Sequence, residues 1–242
     1  DTDGQRNIVM PKLKIFDSES FSFPVGNKKI IFANNKGQQT YIKNRMDRML
    51  TKEPETIKWI NNFETDSVFF DIGANIGIYS LYSAVVKGNT VYAFEPHASS
   101  YKNLLDSINL NHLTRCHAYS IAISDKVDLS TINVKNMHEG VADNKVGEQG
   151  EYYHGCTQMP LNFLVERKIL PQPDYIKIDV DGFENKVIEG SMQVFRNCKG
   201  LLVEIEHKHI NYVDMICALG FKLESRHKRN EEEYNYIFVN EN

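Results

Sequence analysis

The segment Asp71-Ile72-Gly73-Ala74-Asn75-Ile76-Gly77 follows the apolar run Val68-Phe69-Phe70 and precedes a helix-forming stretch, Tyr79–Val86. Glycines between a strand and a helix let the backbone come close to a ligand, and the helix N-terminus offers N–H groups to an anion. A dinucleotide site asks for G-x-G-x-x-G, whereas Asn75 stands where the second glycine belongs. Asp71, two residues before the first glycine, would repel a pyrophosphate and attract an ammonium or sulfonium. Asp-x-Gly-x-Asn-x-Gly therefore suits S-adenosylmethionine, with its two cations and one carboxylate, better than NAD. Asp71, Gly73, Ala74, Asn75, Ile76 and Gly77 are the expected cofactor residues.

Glu95 ends the next apolar stretch, Thr90–Phe94, and is followed by Pro96. An acid about 20 residues past the glycines can accept hydrogen bonds from both ribose hydroxyls. We expect Glu95 and Pro96 to line the ribose end, against the plainer reading of a solvated loop acid. Ser124, or Asp125 beside it, would meet the adenine amine or simply shape a turn.

Two further strand ends carry acids. In Ile176-Lys177-Ile178-Asp179, alternation puts Lys177 and Asp179 on one side. The following strand ends in Glu204-Ile205-Glu206-His207-Lys208-His209. Transfer of a methyl from such a cofactor is in-line and relies on alignment, and where the acceptor carries a proton this must also leave, by a general base or a metal ion. Asp179 with Glu204 or Glu206, aided by His207, would suit a hard divalent cation such as Mg2+. The rival reading makes Asp179 or His207 the base directly. Asp179, His207 and Lys177 are the catalytic candidates. Against these stand structural roles: Asp179 bonding the methionine ammonium or capping a helix, Lys177 pairing with an acid, Glu204 anchoring a loop.

The elements that position these groups fall into two parts. Short alternating stretches at 12–16, 21–25, 29–33 and 40–43, then a helical stretch from 45 to 62, form a small N-terminal β/α extension over residues 1–65. From residue 66 to 242 strands and helices alternate: strands at 68–70, 90–94, 117–123, 175–180 and 201–205, and helices at 79–86, 99–111, 161–170, 184–195 and 210–219. That rhythm gives an α/β fold, a seven-stranded, mostly parallel sheet flanked by helices. The last strands, near 221–224 and 236–239, leave no room for a helix and form an antiparallel hairpin. Residues 125–155 interrupt the pattern; 129–134 reads as a strand, and 136–155 as a polar, glycine-bearing mobile loop. Its Met137-His138-Glu139 and Tyr152-Tyr153-His154 could close over an acceptor.

The chain has 242 residues, 41% of them hydrophobic and 25% charged, with a formal net charge of −4. These are the proportions of a soluble globular domain, and the net charge argues against a nucleic-acid partner, so none is expected. Cys116, Cys156, Cys198 and Cys217 are too dispersed for a zinc knuckle or a disulfide scaffold. No apolar run reaches the roughly 18 residues of a membrane span, and no signal peptide opens the chain. A cytoplasmic enzyme with reduced thiols is the expectation. Because the chain opens on Asp1 rather than Met, we also expect a piece of a longer, multidomain polypeptide.

Three segments together resemble the FkbM family of methyltransferases: Val68 to Gly77, Ala93-Phe94-Glu95-Pro96, and above all Asp174-Tyr175-Ile176-Lys177-Ile178-Asp179-Val180-Asp181-Gly182-Phe183-Glu184. Leu202-Val203-Glu204-Ile205 and Asn235-Tyr236-Ile237-Phe238-Val239 extend the likeness, and Asp181 stands where the family often has Glu. The resemblance covers residue 67 to the C-terminus. It implies a Rossmann-like class I methyltransferase fold and S-adenosylmethionine-dependent methylation of a hydroxyl on a sugar, polyketide or similar metabolite. We expect a small-molecule or glycan acceptor, with a carbohydrate hydroxyl favoured. The alternatives are a lipid, polyketide or nitrogen acceptor and, in another class, a non-catalytic cofactor-binding module.

Overall fold

The computed structural model describes residues 19–34, 51, 53–133, 145–146 and 153–240. The strands expected at 12–16 and 40–43, the first turns of the helix expected at 45–62, and most of the loop at 136–152 lie outside these.

The chain opens on a hairpin, β1 (Glu19–Val25) and β2 (Lys28–Asn34), turned at Gly26 with φ 59°. Helix α1 (Pro54–Asn61) follows, then β3 (Val68–Ile72) and α2 (Ile78–Tyr82), which runs on as one π-helical turn over Ser83–Lys87. Next come β4 (Thr90–Phe94), α3 (Ala98–Leu110) and β5 (Cys116–Tyr119). Four strands then leave the main rhythm: β6 (Ala122–Ile123), β7 (Asp128–Asn133), β8 (Lys145–Val146) and β9 (Tyr153–Met159). The pattern resumes with α4 (Leu161–Glu166), β10 (Tyr175–Ile178), α5 (Glu184–Glu189), α6 (Met192–Phe195) and β11 (Gly200–Glu206). It closes with α7 (Asn211–Cys217), β12 (Phe221–Lys228) and β13 (Glu233–Asn240).

The main sheet has seven strands in the order β12-β13-β11-β10-β3-β4-β5, with β13 alone running against its neighbours. The chain starts in the middle at β3, winds outward to β5, and returns through β10 and β11. The reversal lies between β3 and β10, where an open α/β sheet places its ligand crevice. Alternation sorts the core onto two faces. Phe69, Leu202 and Ile237 join Trp59, Ile30 and Phe32 on one; Phe70, Ile72, Ile176, Leu201 and Val203 join the helices α4 to α7 on the other.

The N-terminal hairpin is tied down by a polar stripe. Asn103, Ser107 and Asn111, spaced one helical turn apart, turn toward β2. Ser107 and Asn111 accept from Ala33 N and Ile31 N at 2.9 Å, and Asn103 donates to Ala33 O at 3.0 Å. These side chains satisfy a strand that, among the described residues, has no strand partner on that side.

Three expectations need correction. The strand expected over 117–123 is two: β4 stops at Phe94, opposite Tyr119, so β5 has no further partner, and β6 pairs with β9 in another sheet. The expected loop at 136–155 has strand at its end, because β9 pairs antiparallel with β7 from Tyr153 onward, in a four-stranded sheet β6-β9-β7-β8. The helix expected over 184–195 breaks at Gly190, where the backbone passes so close to Ser124 that a Cβ would lie 1.9 Å from its carbonyl oxygen.

Candidate active site

A cavity of about 550 Å³ opens at the carboxyl ends of β3, β4, β10 and β11, a volume typical of small-molecule sites. One end is walled by the glycine loop, Glu95, Pro96 and the apolar Ile121, Ala122, Ile123, Ile132 and Val146; the other by charged groups.

The glycine loop turns under tight steric control. Gly73 has φ 80°, and a Cβ on it would sit 1.8 Å from the carbonyl oxygen of Asp179. Only glycine lets β3 and β10 end this close together. At Gly77, φ 86°, a Cβ would meet Leu104 Cδ1 at 2.4 Å, so this glycine lets α2 lie against α3.

The loop N–H groups do not point outward as expected. Gly73 N and Ala74 N donate to Phe94 O (3.0 and 3.1 Å), and Gly77 N donates to Ala74 O at 2.8 Å. Asn75 N donates to Glu95 Oε2 at 2.7 Å, and Ile76 N to the Asn75 side chain at 2.8 Å. All five are consumed within the loop and strand β4, which leaves no anion nest there. What they build is a fixed seat for Glu95. Its carboxylate also accepts from His97 N at 2.8 Å, so each oxygen holds one backbone donor and keeps a lone pair for a ligand hydroxyl. Burial pushes this carboxyl up to about 7, against the lowering effect of the two N–H bonds.

Asp71, expected to face a cationic ligand, lies beneath the cavity rather than in its wall. Its Oδ2 accepts from Ser80 Oγ at 2.6 Å, and its other oxygen is buried without a hydrogen bond. The carboxylate is thus held against the first turn of α2, where an anion is favoured. Burial raises its pKa, and the Lys177 ammonium opposes that.

Ser124 and Asp125 stay out of the cavity wall as well. The Ser124 hydroxyl is fully buried, 2.7 Å from Gln158 Oε1, and Asp125 is bound to Lys186 at 2.9 Å. The wall at that position is the apolar stretch Ile121 to Ile123.

The far end of the cavity is a lattice of ion pairs. Lys177, 2% exposed, donates to Asp179 Oδ2 at 2.7 Å and lies 4.9 Å from the Tyr79 ring centroid. Burial would lower its pKa, but Asp179, Asp71 and Glu53 outweigh it and hold the ammonium protonated above its ordinary value. Arg229, in the turn between β12 and β13, reaches Glu53 Oε1 at 2.9 Å and Glu204 Oε2 at 3.1 Å. Glu53 stands just before α1, whose Trp59, with Phe63 just past the helix end, wedges against Phe69 and Tyr175 and fixes that helix on the sheet. Glu53 also bonds the Tyr79 hydroxyl, whose pKa is raised chiefly by burial. Burial, reinforced by the nearby Asp179 charge, lifts the Glu204 carboxyl to about 8 despite Arg229. Behind these, Glu184 accepts from Gly182 N at 3.0 Å and braces the loop that carries Asp181 (φ 51°) into the wall.

The structure brings Asp179, Lys177 and Glu204 together in the cavity but leaves out Glu206 and His207. Glu206 pairs with Lys208, and His207 is exposed in the 3-10 turn after β11. The expected cation site does not fit the donors present. Asp179, Glu204 and Glu206 each already hold an ammonium or guanidinium, and among the described residues no cluster of His, Cys, Asp or Glu is arranged to ligate a metal. Sequence reasoning missed Glu53, Tyr79, Arg229 and His97. His97 follows Pro96 and could have been sought there; it lies in the wall, 3.0 Å from Ser100 Oγ, and burial lowers its pKa to about 4, so it is neutral at pH 7.

The central glycine loop, the acid ending the next strand and the strand order with one antiparallel member define a class I, S-adenosylmethionine-dependent methyltransferase. Residues 71–223 match the model of the methyltransferase FkbM domain, and the chain belongs to that family. It is 26% identical over 162 residues to the hexuronic acid methyltransferase AglP of Haloferax volcanii, spanning 65% of this chain and 64% of that protein's length, less than two thirds. Among solved structures it is similar to a precorrin-6y C5,15-methyltransferase from Geobacter metallireducens (TM-score 0.48, 13% identity, 86% of this chain and 94% of that one). A SAM-dependent methyltransferase from Aquifex aeolicus is similar at TM-score 0.47 and 12% identity, over 85% of this chain and 99% of that one.

Proposed function

We propose that the protein transfers a methyl group from S-adenosylmethionine to a hydroxyl of a carbohydrate. The observation that carries this is the division of one cavity into an apolar, Glu95-bearing end suited to an adenosine and a charged end rich in hydrogen-bonding groups suited to a polyol. The sugar substrate in the name of the AglP relative supports the carbohydrate class.

S-adenosylmethionine, when bound, supplies an electrophilic methyl. Glu95 would hold the ribose diol by its two remaining lone pairs. Ile121, Ala122 and Ile123 would cover the adenine, and Asp179, at the meeting of β3 and β10, lies toward the methionine end. The acceptor hydroxyl must lose a proton as its oxygen forms the new bond. Asp179 and Glu204 would act as a pair to receive it: their mutual repulsion helps keep Glu204 near neutrality, where a carboxylate is a useful base. Lys177 positions Asp179 and, being held protonated, is no base itself. A metal-assisted route finds no donor set among the described residues, and His207 has no place in the step.

Incubation with methyl-labelled cofactor and a panel of hydroxyl, amine and nucleic-acid acceptors tests the proposal. Label should appear in glycosides as alkali-stable methyl ether; label in amines or nucleic acid alone rejects the reading.

A further inference from the structure

The charged end of the cavity has an unbalanced sign. Glu53, Asp179, Asp181, Glu204 and Glu233 face it, while the described wall contributes only Lys177 and Arg229 as cations. Neither cation is available to a new anion. Lys177 is bound to Asp179, and Arg229 is shared between two carboxylates at 2.9 and 3.1 Å. His97 is neutral above about pH 4. Even with Glu204 partly protonated near neutral pH, the carboxylates outnumber the cations. The cofactor's net single positive charge would not reverse that. Asn230 and Glu233, bonded to each other at the hairpin turn, place a further acceptor oxygen at the rim.

An acceptor carrying a carboxylate or phosphate beside the reacting hydroxyl would lose its hydration here and find, among the described residues, no cation to replace it, with like charges lining the same wall. A neutral polyol finds the opposite: a dense set of carboxylate acceptors for its hydroxyl donors. We infer that this methyltransferase selects against anionic acceptors, and that within the carbohydrate reading, on which the sugar part of this inference rests, its substrate is an uncharged glycoside rather than a uronic acid. The selectivity is electrostatic and so belongs to the wall charges rather than to shape.

The test uses matched acceptor pairs with labelled S-adenosylmethionine: methyl glucoside against methyl glucuronide, and benzyl alcohol against its ring-carboxylated counterpart. The neutral member should be preferred by about tenfold or more in kcat/KM. Preference for the carboxylated member in either pair overturns the inference. Neutral preference confined to the non-sugar pair rejects the carbohydrate reading and upholds the exclusion of anions. Label in no member, with cofactor binding intact, overturns both. Glu233→Gln and, independently, Asp181→Asn (Asn tolerates the positive φ) should each narrow the preference by about threefold, as fits loss of one partly screened charge. A preference unchanged in both variants overturns its electrostatic origin.

Discussion

The two ends of the cavity are built by different means. At the cofactor end, backbone donors from the two turns that follow β3 and β4 fix one carboxylate: Asn75 N and His97 N hold Glu95, and Phe94 O ties down Gly73 and Ala74. At the acceptor end, long side chains from distant parts of the chain hold one another, Glu53 before α1, Lys177 in β10, Glu204 in β11 and Arg229 in the final hairpin. Backbone placement follows once the strands pair. A side-chain lattice also needs every partner present, and a single loss strands a buried charge. The first end is therefore rigid in design and tolerant of little change in shape, the second in charge.

The largest effect should come from Gly73→Ala. The new Cβ would have to occupy space 1.8 Å from a backbone oxygen, at φ 80°. Strain and displacement together should destabilise the fold by about 4 kcal/mol or more and abolish cofactor binding. Gly77→Ala meets the flexible end of Leu104 instead, so a loss of only about 2 kcal/mol is expected from denaturant titration. Equal losses in the two variants would break the claim that close strand approach rigidifies this end. Next in size is Arg229→Leu, which leaves Glu53 and Glu204 buried without their guanidinium and should cost about 3 kcal/mol. Adding Glu53→Gln should restore part of that. No recovery in the double variant would mean that Arg229 acts through packing rather than charge.

This contrast also explains what could be read from the chain beforehand. The sheet, its final antiparallel hairpin and the acids at its strand ends follow from alternation and spacing, because Val68–Gly77, Phe94-Glu95 and Ile176–Asp179 each encode a strand and its exit locally; the strand order does not, and comes from the structure. The direction of Asp71 and of the loop N–H groups is not written in the motif: residue types alone do not reveal that Phe94 O and Glu95 absorb those donors, or that Ser80 Oγ holds Asp71 against α2. The pairing of Arg229 with Glu53 has no sequence signal: it joins two turns that meet only once α1 and the last hairpin have both joined the sheet. Tyr153 and His154 carry no strand signal because β9 has few apolar residues; its pairing with β7 decides its conformation.

A smaller effect sharpens the electrostatics of the cofactor end. Glu95, with its pKa raised to about 7 from the usual 4.5, is protonated in the folded protein over a range where the unfolded chain has already released its proton. The stability of the neutral buried acid is thus fully present below about pH 4.5 and lost as pH rises through 7. A ribose diol prefers the carboxylate as a double acceptor, so cofactor binding should release a proton and tighten by about tenfold between pH 6 and pH 8. Calorimetry in buffers of different ionisation heat reads that proton. A pH-independent affinity with no proton released would remove Glu95 from the ribose contact.

The smallest expected effect lies where the two ends meet the four-stranded sheet. Ala98 N, at the start of α3, donates to His154 Nε2 at 3.3 Å, and His154 Nδ1 lies 3.1 Å from Gly155 O. The two bonds are compatible only with a neutral ring carrying its proton on Nδ1. His154→Ala removes two weak, exposed bonds, one of them to its own neighbour, so stability should fall by about 0.5–1 kcal/mol. Cofactor affinity should stay within about twofold of the parent's, because the Glu95 carboxylate is held by Asn75 N and His97 N and not by the sheet. A tenfold loss of affinity in that variant would show that the four-stranded sheet belongs to the cofactor end. The division between a backbone-built end and a side-chain-built end would then have to be redrawn at His97, whose ring lies 5.6 Å from that of His154.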